Sequence, residues 1–466
     1  MGNSNIDKKV GTARRQTSPL KDLKDAIVDP YSYILLISIF ETSFNYIRKH
    51  SVSIFMVLLL VGFFIQLYLL IKSKALFGLI KTELTYRFIL PMSLFIALLI
   101  VSIVGVESSK IGFYFIKSYI GSVMLVFLIA TNIKRPEKIK KILTILSFMA
   151  IVNVILGMLQ VYVSSSFYIV PYIYPAKNAA YFNKTVLPHA FGLFIMNFNF
   201  GFTLLLGSLN IVSRLINEKR KSWELFLLIS WSVVLYGYLI SFLRSSIIAV
   251  LLGSAIIVIV TLIKKRGTSP AMIKKILAFS LVTLIIVPAL FFQVHFLNKK
   301  KDTAISKYNT LIVKDKKESD SVRIVLYKLG FEIFRDHPFK GVGIGSYKNE
   351  KTKYLKDFEG LSTKEFRRLD SHNVFLEVLC GAGIFALIVY LYILLFPLFK
   401  ITTTLLKEKI PDEMSMIYIL LLAYFAAALF DSNFHNFSFE NMHWIGIGLF
   451  YSMEFIRQGE NGRDKI

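Results

Sequence analysis

The stretch LDSHNVFLEVLCGAGIFALIVYLYILLF, residues 369–396, sets Asp370, Ser371, His372 and Asn373 directly before a long apolar run whose only charge is Glu377. A run of this length crosses a hydrocarbon core of roughly 30 Å as a helix. Lipid offers no water to unpaired backbone groups, so a helix is the expected form. The polar residues at its head either cap that helix or edge a site. What the rest of the chain brings to the same level decides between the two.

The rest of the chain repeats the pattern. Its 466 residues are 55% hydrophobic and 14% aromatic, with only 18% charged, and the mean hydropathy is +0.58. This composition excludes an ordinary soluble domain and predicts an all-α polytopic membrane protein with about 12 transmembrane helices. The predicted spans lie near 31–47, 52–71, 87–106, 112–131, 141–163, 188–213, 224–242, 245–263, 275–294, 372–398, 414–431 and 443–456. The formal charge of +25 does not point to nucleic acid. Lys and Arg gather in short segments between apolar runs, such as Lys134, Arg135, Lys138, Lys140 and Lys141, or Lys264, Lys265 and Arg266. These alternate with connections poorer in positive charge, the distribution that orients membrane proteins. The single cysteine, Cys380, lies inside a predicted span and offers neither a disulfide framework nor a cysteine metal site.

The predicted organisation is a basic cytoplasmic arm (1–30), membrane helices 1 to 9 (31–294), one large external loop (295–371), helices 10 to 12 (372–456) and a cytoplasmic tail (457–466). No removable signal peptide is expected in the arm, and both termini are expected to be cytoplasmic. The loop is far longer than an ordinary connection, which marks it as functional. It carries 18 Lys/Arg against 11 Asp/Glu. Within it, SVRIVLYKLGFEIFRDHPFKG (321–341) spaces Val322, Val325, Leu326, Leu329, Ile333 and Phe334 as an amphipathic helix ending at Pro338. GVGIGSY (341–347) follows, its three glycines indicating a closely approached backbone.

Topology sends three chemistry-bearing residues to one face: Arg244 in the tight hairpin SFLRSSI, Arg323 on the amphipathic helix, and His372. Each has a bland reading: a snorkelling arginine, a solvated helix face, a capping histidine. Converging at headgroup depth, two guanidiniums and an imidazole suit a substrate with a phosphate and a hydroxyl to be activated. Arg grips phosphate oxygens bidentately and stabilises a departing diphosphate. A neutral His accepts a hydroxyl proton near pH 7.

SFLRSS, FRDHPFKGVGIGSY and DSHNVFLEVLCGAGIFALI, in this order, resemble the O-antigen ligase/polymerase superfamily of bacterial envelope proteins, most strongly over residues 230–400. His372, Asn373 and Gly383 match the ligase pattern, whereas Ala386 stands where the pattern has Gly, Thr or Tyr. The resemblance implies a metal-independent glycosyltransferase with no cofactor, in the bacterial inner membrane with its site facing the periplasm. It would move a glycan from a polyprenyl diphosphate donor to a hydroxyl on a glycan or glycolipid acceptor. His372, Arg323 and Arg244 match the family's catalytic positions. O-antigen ligation onto lipid A-core is the leading expectation. Polymerisation of O-antigen, capsule or exopolysaccharide is the alternative, and a transporter or flippase is a further one.

Other residues are candidates for substrate binding. They are Asn373 beside the histidine, Asp370 as either a cap or a participant, Glu377 below the imidazole, and Lys177 in the medium loop 164–187, with Lys184 and the lysines at 299–301 as equals. His435, Glu440 and His443 fit no standard metal spacing and read as interfacial packing.

Overall fold

The computed structural model describes residues 54–80, 82–106, 109–162, 197–218, 220–241, 244–265, 270, 273–285, 317–357, 370–407, 412–429 and 437–463. Regular structure among these is entirely helical. The principal helices are α1 (Ile54–Lys72), α2 (Leu90–Ile103, entered through a π-helical turn at Thr85–Ile89), α3 (Ser109–Asn132), α4 (Pro136–Tyr162) and α5 (Asn197–Asn217). They continue with α6 (Lys221–Ser241), α7 (Arg244–Lys265), α8 (273–285), α9 (Lys317–Asp336), α10 (Val374–Lys407), α11 (Asp412–Ala428) and α12 (Phe437–Arg463).

Each predicted run from 52–71 onward overlaps one of these helices, while the run at 31–47 lies outside the described residues. Five described helices are both long and apolar enough to cross a membrane: Thr85–Ile103, Lys110–Asn132, Pro136–Gln160, Lys221–Ser241 and Val374–Leu405. Met56–Lys72, Ala249–Ile259 and Glu413–Ala426 are apolar but shorter. The expectation of about 12 spans is therefore met only in part. The three shorter helices are the described parts of α1, α7 and α11, which run further at their ends.

Large apolar side chains cover the outside of these helices as well as the inside. Phe64, Ile65 and Tyr68 on α1 and Leu281, Leu284 and Ile285 on α8 are exposed, as a lipid-facing surface requires. The interior is aromatic. Phe95 of α2 stacks on Tyr390 of α10 with centroids 5.1 Å apart and meets Tyr119 of α3 edge-on at 5.0 Å. Trp444 of α12 lies 6.3 Å from Tyr119, so four helices share one column. Polar contacts bind α4, α5 and α6. Asn210 Nδ2 donates to the Leu143 carbonyl at 3.0 Å and to Ser147 Oγ at 2.7 Å, and Ser208 Oγ pairs with Tyr238 Oη at 2.9 Å. Such bonds hold membrane helices together where lipid competes for apolar contacts.

The amphipathic helix expected within 321–341 is α9. Leu326, Leu329 and Ile333 are buried against Leu376, Leu379 and Cys380 of α10, with Val325 and Phe334 at the edge. Cys380 Sγ donates to the Gly330 carbonyl at 3.0 Å. Gly330 brings the two helices close, since an added Cβ would stand 2.6 Å from Leu376 Cδ2.

Next, the chain folds back into α10 itself. At Gly383 the backbone leaves helical geometry, with φ 80 and ψ −178. The GVGIG segment docks at this break. The Val342 and Gly343 amides donate to the Cys380 and Gly381 carbonyls, both at 2.9 Å, and the Ile384 amide donates to the Pro338 carbonyl at 2.9 Å. The helix break thus leaves these groups paired with the loop, the condition for irregular backbone at membrane depth. Ser102 Oγ accepts from the Ile344 amide at 3.3 Å, and Lys340 Nζ donates to the Val104 carbonyl at 2.8 Å, fixing the loop to the end of α2.

Candidate active site

The turn that precedes α10 is built from its own polar residues. Asn373 Oδ1 accepts from the Leu376 amide at 3.0 Å, the arrangement of a helix N-cap. Its Nδ2 donates to the Leu429 carbonyl at 3.2 Å, fastening the head of α10 to the end of α11. Ser371 is buried; its Oγ donates to the Asn373 carbonyl at 2.9 Å and accepts from the Asn373 amide at 3.4 Å. Between them His372 takes φ +50, in the left-handed region that side-chain-bearing residues rarely adopt. Such geometry persists where surrounding contacts over-determine it and is concentrated at functional sites.

Two elements close over this turn. From α9, Tyr327 Oη donates to the His372 carbonyl at 3.3 Å. Half-buried Arg323 precedes Tyr327 by four residues and so shares its helix face. From the short helical segment Tyr347–Glu350, Lys348 Nζ pairs with Asp370 Oδ1 at 2.7 Å. Tyr347 is buried, its Oη donating to the Leu326 carbonyl at 2.6 Å. Lys351 is fully buried, with Nζ 5.5 Å from the centroid of the Tyr347 ring.

The imidazole lies in this enclosure with Nδ1 buried and without a hydrogen-bond partner among the described residues. Burial holds His372 below the usual histidine range; the Arg323 charge pushes the same way and Asp370 opposes. A neutral imidazole near pH 7 is the result. Burial likewise pushes the Lys351 ammonium down to about 8, against the pull of Asp370. One turn into α10, the Glu377 carboxylate is buried, and its Oε2 has no partner among the described residues. The turn therefore gathers two carboxylates, two ammoniums, a guanidinium and one neutral ring.

Of the residues singled out from sequence, His372, Arg323, Asp370, Asn373 and Glu377 come together here. Capping, which the sequence offered to Asp370, falls to Asn373, because Asn373 stands three residues before the Leu376 amide. Asp370 is engaged by Lys348. Arg244 opens α7, but its side chain lies outside the described residues, as do Lys177, Lys184 and 299–301. His443 packs edge-on against Trp444 at 5.5 Å and Tyr424 at 6.1 Å, the aromatic packing expected of it.

Sequence reasoning missed Tyr327, Lys348 and Lys351. Tyr327 carried a signal, its spacing of four from Arg323 on a predicted helix. The lysines carried none, since the loop holds many and only folding selects these two. The sequence-family comparison matches the O-antigen ligase family over residues 226–391. That segment runs from early α6 into α10 and takes in Arg244, Arg323 and His372. No curated protein matches the chain.

Proposed function

Starting from a chain whose residues 226–391 match the O-antigen ligase family, we propose that it transfers a glycan from a polyprenyl diphosphate to an acceptor hydroxyl at the outer face of the cytoplasmic membrane. The acceptor we assign is lipid A-core, making the protein an O-antigen ligase. The observation that carries this reading is the His372 imidazole at the head of a membrane helix, its Nδ1 buried without a hydrogen-bond partner among the described residues and within the field of Arg323.

In this mechanism His372 accepts the proton of the acceptor hydroxyl as its oxygen attacks the anomeric carbon of the donor. A new C–O bond forms while the bond from that carbon to the diphosphate oxygen breaks, and the electron pair departs with the diphosphate. A single displacement inverts the anomeric configuration. Arg323 meets the charge that develops on the leaving group, the task for which a preorganised guanidinium is suited. We assign Arg244 to the same diphosphate and Lys177 to its outer contacts. Guanidinium groups supply the charge that a metal ion supplies in other phosphoryl-containing sites, so this step calls for neither metal nor cofactor.

The test is a transfer assay with purified protein and a polyprenyl-diphosphate glycan, with and without a lipid A-core acceptor. Acceptor-dependent core-glycan product is expected. Longer polyprenyl-linked chains without added acceptor would instead identify a polymerase, and no new glycosidic bond with an intact cognate donor and acceptor would point to a transporter. The same assay reads pH dependence. His372 works as a base only when neutral, and burial and Arg323 hold its pKa below 6.5. Transfer should therefore be complete at neutral pH and decline only as pH falls below the ordinary histidine range. An acid limb above that range would contradict the site described here.

A further inference from the structure

A second charged cluster lies where α2 meets α10, at the end of both helices away from His372. Lys400 stands 26 residues beyond Val374, about 39 Å along a helix rising ~1.5 Å per residue, so a hydrocarbon core separates this cluster from the His372 turn. Glu83 and Arg87 are four residues apart, the spacing at which a helix pairs opposite charges. Here the π-helical turn at Thr85–Ile89 interrupts that register, and each residue turns to α10 instead. Lys400 Nζ meets Glu83 Oε1 at 3.1 Å. Arg87 Nη1 donates to Tyr392 Oη at 3.1 Å, and its guanidinium carbon lies 5.3 Å from the centroid of the Phe396 ring.

The two pairings leave one unbalanced charge. Lys400 neutralises Glu83, whereas Arg87 has no carboxylate in ion-pair range among the described residues. Tyr392 takes one N–H donor of the guanidinium, leaving further donors for an anion. Arg87 itself is exposed, and the surface around it is apolar: Tyr86, Leu90 and Leu94 beside it in α2, and Leu395 and Phe399 on α10, are all exposed. An arginine that merely snorkels reaches water on a flexible stem; this one is held against the flank of α10.

We propose that Arg87, clamped by Tyr392 and Phe396, binds an acidic phospholipid in the leaflet opposite His372. The headgroup phosphate accepts from the guanidinium, whose planar fork suits two phosphate oxygens, and the acyl chains lie along Leu90, Leu94, Leu395 and Phe399. Charge selects the lipid class. An acidic headgroup balances Arg87, while a zwitterionic one brings an ammonium of its own. The site is separate from the transfer reaction and does not depend on it.

The experiment extracts the full-length protein from vesicles of phosphatidylglycerol and phosphatidylcholine in equal parts and measures the lipids it retains by native mass spectrometry. In the same vesicles, phosphatidylglycerol with a photoreactive group beside its headgroup is crosslinked and located by peptide mapping. Phosphatidylglycerol should be retained over phosphatidylcholine, with crosslinks in the peptides that carry Leu90 and Tyr392. Arg87→Gln should lower its retention about fivefold, the contribution of one basic residue at a membrane surface. Arg87→Lys, which keeps the charge and loses the fork, should lower it less. Lys72→Gln removes an exposed cation at the end of α1 and should leave retention unchanged. Equal losses in Arg87→Gln and Lys72→Gln, or crosslinks scattered around the bundle, would overturn the proposal in favour of diffuse surface charge. Equal retention of the two lipids would also sink it, as would displacement of the bound lipid by free glycerol phosphate, which lacks acyl chains. If Arg87→Gln does not fold, the crosslink positions in the native protein decide: labelling that misses both peptides removes the site.

Discussion

His372→Asn is expected to reduce glycan transfer by about 10²- to 10⁴-fold, the usual contribution of a positioned general base. Asparagine is the informative replacement because it tolerates the left-handed backbone that His372 adopts, so the turn before α10 keeps its shape while the base is removed. Arg323 stays in place, and the KM for the lipid-linked donor should change little. Thermal stability should be close to native, since Nδ1 makes no hydrogen bond among the described residues. The measurement is initial rate against donor concentration, with thermal unfolding of the same preparation. A near-native rate in His372→Asn would mean that the proton goes elsewhere, and the mechanism above would fall with it.

The second large effect concerns the break in α10. Gly383→Ala should destabilise the protein by about 3 kcal/mol or more, since it combines a steric conflict with a backbone conformation reserved for glycine. A Cβ at this position would lie 2.1 Å from the Phe339 carbonyl oxygen and 2.4 Å from its carbon, both backbone atoms with little freedom to withdraw. Gly78→Ala is the matched control. It lies in the short helix Leu76–Ile80, where an added Cβ meets nothing within 4 Å, and alanine in a helix is favoured over glycine by about 1 kcal/mol. Unfolding temperature and the yield of monodisperse protein should drop for Gly383→Ala and hold or rise for Gly78→Ala. Equal behaviour of the two would show that the loop does not dock at the break.

Much of the helical architecture is legible in the sequence because apolar run length and helix are tied together by the absence of water in lipid. The amphipathic spacing of 322–334 foretold α9 and the face it buries, since Leu326, Leu329 and Ile333 recur at helical intervals. Of the expected spans, five are long and apolar enough among the described residues, and run counting does not see the polar partners inside a helix such as α5: Asn210 reaches Leu143 and Ser147, and Arg214 donates to Thr144. His372, Asn373 and Arg323 could be picked out because a polar cluster at the lip of an apolar run is unusual. Their division of labour could not. Whether Asp370 or Asn373 caps depends on a register of one turn, and whether a given lysine reaches Asp370, as Lys348 does, depends on how the 347–357 segment folds against a helix whose first residue is Val374. GVGIG announced a close backbone approach without naming its partner, which lies some forty residues further on inside what reads as an uninterrupted helix.

The exchange between that loop and α10 also bears on how the protein is made. As α10 enters the bilayer, the Cys380 and Gly381 carbonyls need amide donors that their own helix does not supply at the break. Those donors, Val342 and Gly343, belong to a segment synthesised earlier. Their partner is thus already in existence when the need arises, and the exchange can close during insertion. A circularly permuted chain that delivered α10 first would expose bare carbonyls to lipid until the loop arrived, so the order of synthesis, and not only the final contacts, suits this site to assembly in a membrane.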